Sequence, residues 1–196
     1  MGRKFSKYHG AGNDFVMIDG RTEPFDATPE RVAALCRRRT GIGADGLMIL
    51  ESDPAEEFRM RYFNADGGEA TMCGNGGRCI ALFAHHLGIG GMRKRFIGVD
   101  GPHTAELLRV EGPEGETLAC GTGATASAIA AAVRTGSPCR DYRVDDEGGT
   151  HRVAFEPDGK GGFTRIELTG PARKVFEGEF ADDFRRDGEP EFPKKS

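Results

Sequence analysis

One phrase is written twice in the chain, and it limits the possible folds more than any other feature. Residues 68–76 read G-E-A-T-M-C-G-N-G and residues 115–123 read G-E-T-L-A-C-G-T-G, so both fit G-E-x-x-x-C-G-x-G. The two cysteines, Cys73 and Cys120, lie 47 positions apart. An apolar run closed by glycine follows each phrase: residues 78–87 before Gly88, and residues 124–133 shortly before Gly136. Each copy therefore predicts a glycine turn feeding a helix, with a cysteine just ahead of the first helical turn. Such a duplicated unit points to two related halves, divided near Gly101, with one cysteine-led helix in each.

The chemistry follows from that position. A helix N-terminus carries unpaired N–H groups and about half a positive charge. A thiol placed there ionises more readily and can act as a base. The adjacent glycines leave N–H groups open to an anion such as a carboxylate. Cys73 and Cys120 have this context, whereas Cys36, Cys79 and Cys139 lack it. A single activated thiol suggests a nucleophile. Two in matched settings suggest a base and an acid on opposite faces of one carbon, which inverts a stereocentre. The competing reading is two tight turns before buried helices, with thiols that only pack. Gly121-x-Gly123-x-x-Ala126 also fits a dinucleotide fingerprint, but residues 116–119 make a poor buried strand and no βαβ alternation follows.

Composition removes other classes. The chain has 196 residues and a net charge of -4, which disfavours nucleic-acid binding through phosphate neutralisation. Five cysteines without a C-x-x-C pair argue against a disulfide framework or a zinc ribbon. The five histidines have no metal-ligand spacing, so no metal site is expected. With no secretory h-region and no apolar stretch near the ~20 residues of a membrane span, a cytoplasmic setting is expected.

Local patterns fill in an α+β fold. Residues 5–9 and 14–19 predict strands around the turn Gly10-Ala11-Gly12-Asn13. Thr28-Pro29 predicts a helix start, with Arg37-Arg38-Arg39 at its far end before Gly41. Residues 47–50 and 58–63 predict strands, the second ending at the turn Asn64-Ala65-Asp66-Gly67. A hairpin across Gly101-Pro102 is expected from residues 96–100 and 104–110, and three strands from residues 142–144, 151–155 and 163–168. The helix over residues 126–133 has almost no polar face and needs cover on most sides.

Six motifs in order resemble the diaminopimelate epimerase family. They are H-G-A-G-N-D-F at 9–15, T-G-I-G-A-D-G at 40–46, F-N-A-D-G at 63–67, M-C-G-N-G-G-R-C at 72–79, E-T-L-A-C-G-T-G-A at 116–124 and L-T-G-P-A at 168–172. The resemblance implies two pseudo-symmetric domains, each a mostly antiparallel sheet round a central helix, with the site between them. Carried onto this chain, the domains span 1–101 and a shortened 102–180, followed by a tail over 181–196. It implies a cofactor-independent interconversion of LL- and meso-diaminopimelate, serving lysine and peptidoglycan synthesis, with a homodimer as an open option. The resemblance makes Cys73 and Cys120 the acid/base pair, and makes Asn13, Asn64, Gly74, Asn75, Gly121 and Thr122 substrate contacts. Two departures stand out. The family carries a longer segment between its cysteines, and its E-R-G ahead of the second one reads Val110-Glu111-Gly112 here, without arginine.

Overall fold

A computed structural model describes residues 2–71, 73–108, 121–139, 141–146 and 149–181. Seven strands form the larger sheet: β1 (Gly2–Gly10), β2 (Asn13–Asp19), β3 (Gly46–Glu51), β4 (Phe58–Asn64), β5 (Arg93–Gly98), β6 (Gly101–Glu106) and β10 (Arg173–Ala181), in the order β10-β1-β2-β3-β4-β5-β6. A second sheet has the order β7-β8-β9, from β7 (Asp141–Asp146), β8 (Gly149–Pro157) and β9 (Phe163–Thr169). Three helices complete the described chain: α1 (Pro29–Cys36), α2 (Gly74–His86) and α3 (Gly121–Thr135). The α+β class expected from the sequence is the class observed. No helix among the described residues is long and apolar enough to cross a membrane.

The pairing directions decide where α1 and α2 go. β2 runs parallel to β3, and β4 runs parallel to β5, while the other pairs of this sheet are antiparallel. Parallel neighbours need a crossover. α1 lies in the first crossover and α2 in the second. They cover opposite faces, so the central strands are buried on both sides, as their near-continuous apolar runs require. Phe15, Met17, Met48 and Leu50 pack toward Ile80 and Phe83 of α2. Val16, Ile18, Leu47 and Ile49 point the other way, toward Val32 and Leu35 of α1. α3 lies on one face of the small sheet through Ala124, Ala128 and Ala132, which meet Val153 and Phe155.

Three local expectations are corrected. α1 stops at Cys36, with Arg37 as its C-cap at φ -66 and ψ 124, so no basic residue sits in its last turn. Arg38 is drawn away instead, to Asp14 and Asp45. The β5–β6 hairpin turns at Val99-Asp100, because Gly98 pairs with Gly101 and Ile97 with Pro102. Pro102 has no N–H to give, and an edge strand tolerates that. β10 is the third, a strand where the sequence pattern predicts none. Its pairing to β1 shifts register between Lys7 and Tyr8, and this bulge breaks the period of two that marks a strand. With β6 and β10 both in the larger sheet, two strands from the later part of the chain join the sheet built from residues before Gly101.

Candidate active site

The site is built where the β1–β2 turn meets the start of α2. That turn has two residues, Ala11 at φ 52 and Gly12 at φ 81. Two successive positive φ values make the tight hairpin geometry whose twist suits antiparallel strands. Ala11 holds its value although glycine would hold it more cheaply, and it is fully buried. The result is to set Asn13 at the first position of β2. Gly10, opposite it, lies against α2: a Cβ there would fall 2.8 Å from the Asn75 carbonyl oxygen.

Cys73 is the N-cap of α2, with extended backbone at φ -112 and ψ 151. Its Sγ accepts the Gly76 N–H at 3.3 Å, the contact that a hydroxyl or carboxylate oxygen usually makes at this position. Sγ also lies 3.9 Å from Asn13 Oδ1, to which the thiol donates. Asn75 Nδ2 donates to the same oxygen at 3.5 Å. Asn75 is almost fully buried, and Arg78 donates to its Oδ1 at 2.6 Å. Arg78 also donates through Nε to the Pro171 carbonyl at 3.3 Å, which ties the segment between β9 and β10 to α2. Burial holds the Arg78 guanidinium below its ordinary range, partly offset by Cys79 and Cys73.

Behind Asn13 stands a charged cluster to which the sequence motifs assign no role. Asp45 Oδ2 accepts from Asn13 Nδ2 at 2.8 Å and from the Asp14 N–H at 3.1 Å. Arg38 spans both acids, at 2.9 Å to Asp14 and 2.5 Å to Asp45, and Lys7 reaches Asp14 at 2.9 Å. Burial pushes the Asp14 carboxyl up, but hydrogen bonds from Arg38 and Lys7 more than offset this and hold it at about 2. Both acids lie inside recognisable motifs, G-N-D-F and G-A-D-G. What the motifs cannot reveal is that β2 and β3 are parallel neighbours, which sets the ends of the two segments side by side.

Of the expected residues, Asn13, Cys73, Gly74 and Asn75 come together. Asn64 ends β4 and accepts from the Tyr62 hydroxyl at 3.0 Å. The Tyr62 ring packs edge-on against Phe15, and burial together with Cys73 pushes its hydroxyl up to about 12. Gly121 and Thr122 open α3. Cys120 lies outside the described residues, immediately before that helix. The helices α2 and α3 approach one another, and a Cβ on Gly74 would fall 2.5 Å from Leu168 of β9. Cys79 is fully buried in the core under α2, Cys36 is buried under α1, and Cys139 is exposed. Burial pushes the Cys36 thiol up to about 12 and the Cys79 thiol higher still, so neither is ready to ionise.

Comparison with known proteins agrees with these motifs. The diaminopimelate epimerase family model matches twice, over residues 5–101 and 81–175. A diaminopimelate epimerase of Flavobacterium psychrophilum is 33% identical over 253 residues, covering 89% of this chain and 98% of that protein. One from Azoarcus is 30% identical, covering 90% of this chain and 98% of the relative. One from Chlorobaculum tepidum is 53% identical over 109 residues, where the match spans 56% of this chain and 42% of the relative. An aligned length of 253 exceeds the 196 residues present, so the alignment to the Flavobacterium protein opens gaps in this chain. Among solved structures, a hydroxyproline epimerase from Agrobacterium vitis superposes with a TM-score of 0.63 at 11% identity, over 93% of each chain. A methylitaconate-delta-isomerase superposes with a TM-score of 0.59 at 14% identity, over 91% of this chain and 95% of its own. These two likenesses speak for the fold. With the family model reaching from residue 5 to residue 175 and two relatives matched over nearly their whole length, the chain belongs to the diaminopimelate epimerase family.

Proposed function

We propose that this chain is a pyridoxal-independent amino-acid epimerase that interconverts LL- and meso-2,6-diaminopimelate with two thiols. The observation that carries the reading is Cys73 at the cap of α2, with Gly76 N–H on its sulfur and Asn13 and Asn75 beside it. Cys120 supplies the second thiol from the start of α3. One thiolate removes the α-proton, and the electron pair is left on the α-carbon and its carboxylate. The other thiol delivers a proton to the opposite face and becomes the thiolate. The two exchange roles with the direction of reaction.

Holding the α-carboxylate falls to the N–H groups of Gly74 and Asn75 on one side and of Gly121 and Thr122 on the other. Asn13 and Asn64 orient the rest of the substrate. By this account 1–101 and 102–180 are two epimerase-like parts with the substrate between them, β6 and β10 of the second part joining the larger sheet of the first. On this reading the product feeds lysine and peptidoglycan synthesis in the cytoplasm.

The test is solvent-deuterium incorporation at the α-carbon of LL-diaminopimelate, followed by mass spectrometry. Cys73→Ala and Cys120→Ala should each lower turnover by about 10²–10⁴-fold, the usual worth of a positioned acid or base. Turnover that survives either substitution removes the two-thiol mechanism.

A second reading is favoured by α3. Outside its alanine stripe the helix is open, with Val133 65% exposed, and the alignment leaves residues of the relatives without a counterpart. A chain so shortened binds the zwitterion without exchanging its proton. Calorimetry separates the readings: heat of binding without deuterium uptake selects the second.

A further inference from the structure

We propose that Asp45 is a positioning residue that fixes which way the Asn13 amide faces, and through it sets the proton affinity of Cys73. An ionised carboxylate only accepts hydrogen bonds. With Asp45 Oδ2 at 2.8 Å, Asn13 must present its NH2 group to Asp45. The carbonyl end of the amide is thereby turned toward the sulfur, 3.9 Å away, and toward Asn75 Nδ2. Asp45 is itself held in place. It accepts from the Asp14 N–H and from Arg38, and its own N–H donates to Asp14 Oδ1 at 2.9 Å.

The orientation matters because the carbonyl and the helix start pull the thiol in opposite directions. The Gly76 N–H at 3.3 Å stabilises a thiolate. A carbonyl oxygen accepts the S–H of the thiol and repels the thiolate that replaces it. Asp45 therefore keeps Cys73 protonated for longer than its place at a helix start alone would, which suits a residue that must serve as acid as well as base. Tyr62 of β4 and Arg78 and Cys79 of α2 also bear on Cys73, and they act on the sulfur by charge and burial, not through the Asn13 amide.

Asp45→Asn replaces the obligate acceptor by an amide that can donate. Asn13 can then turn over, giving up its long 3.5 Å bond from Asn75, and offer its NH2 group to the sulfur. The readout is the rate of Cys73 alkylation by iodoacetamide against pH, with the labelled peptide resolved by mass spectrometry. The midpoint should move to lower pH. Near neutrality the rate should rise by about threefold for each unit the midpoint moves, since tenfold more thiolate is partly offset by its lower nucleophilicity.

Asn13→Ala, which removes the whole amide and with it the carbonyl beside the sulfur, should raise the rate in the same sense. In that background Asp45→Asn should add nothing. An unchanged rate in Asn13→Ala, or an Asp45→Asn effect that persists without Asn13, overturns the proposal. A thermal melt of each variant shows that the labelled species is folded. The inference rests on Cys73 being an acid/base group, but labelling needs no turnover. The expected labelling pattern in a protein that exchanges no α-proton would defeat the proposed function and leave the positioning role standing.

Discussion

Gly10→Ala adds one methyl group at the point where β1 touches the start of α2. Gly10 is absent from the residues with positive φ, so alanine fits its backbone and the cost comes from contact alone. The new Cβ would lie 2.8 Å from Asn75 O, 3.1 Å from its Cα and 3.2 Å from its Cβ, where ordinary contact begins at 3.4 Å. Two of these neighbours are backbone atoms in the first turn of a helix, so they move only if the helix moves. Relief takes a shift of about half an ångström, and overpacking of this kind costs about 1–3 kcal/mol. For a chain of this size the melting temperature should fall by about 2–12 °C. Asn75 and Cys73 are carried along, away from Asn13. A misplacement of about 1 Å can cost about 10²-fold in rate, so half of that should cost roughly tenfold. Deuterium exchange and a thermal melt on the same preparation measure both effects. Unchanged melting and unchanged exchange in the Gly10→Ala variant would mean that the contact between β1 and α2 is not tight, and the argument for a rigid site would fail with it.

Asp14 makes folding sensitive to acid. Its carboxyl is held at about 2 in the fold against the usual 3.8, so its contribution is complete above about pH 4 and is lost as pH falls toward 2. Urea titrations across that window should show stability falling with pH in the parent chain, and a shallower slope in Asp14→Asn. The exposed side of α3 supplies the opposite kind of expectation. Val133→Lys should change stability by no more than about 0.5 kcal/mol, as exposed positions do, and a larger loss in a denaturant melt would mean that something covers this face.

How much can be read without coordinates depends on how local the signal is. The Thr28 cap is legible because its bond to the Arg31 N–H spans three residues. Strands β2, β3 and β4 and the helix behind Cys73 are legible from period and punctuation. β10 is not, because a bulge scrambles its alternation and its partner β1 lies at the other end of the chain. The placement of Cys73 before a helix follows from the glycines, and the burial of Cys79 follows from its position inside that helix. Asp45, Arg38 and Arg78 escape a sequence reading for a different reason. Each acts through a neighbour brought close by a parallel pairing or by a chain crossing, and neither leaves a spacing in the sequence. Arg78 shows this through its bond to the Pro171 carbonyl, 93 residues along the chain, whereas its bond to Asn75 three residues back is a local helix contact.

The two halves also differ in how their cysteine-led helices are held. α2 packs across one face of the larger sheet, with its own Cys79, Ile80, Ala81 and Ala84 fully buried, and its first turn is held by Gly10 on one side and Met48 on the other. α3 packs on β7 and β8 through alanines spaced one turn apart, which give it little area to bury. Its alignment with α2 therefore rests on few groups, among them Leu168 over Gly74 and the Arg78 bond to Pro171. On the proposed mechanism each thiol exchanges a proton with one carbon and must be fixed relative to it, so a weakly held α3 would limit the rate even where α2 is well formed. For this chain, added cover on α3 should raise turnover more than any improvement around Cys73.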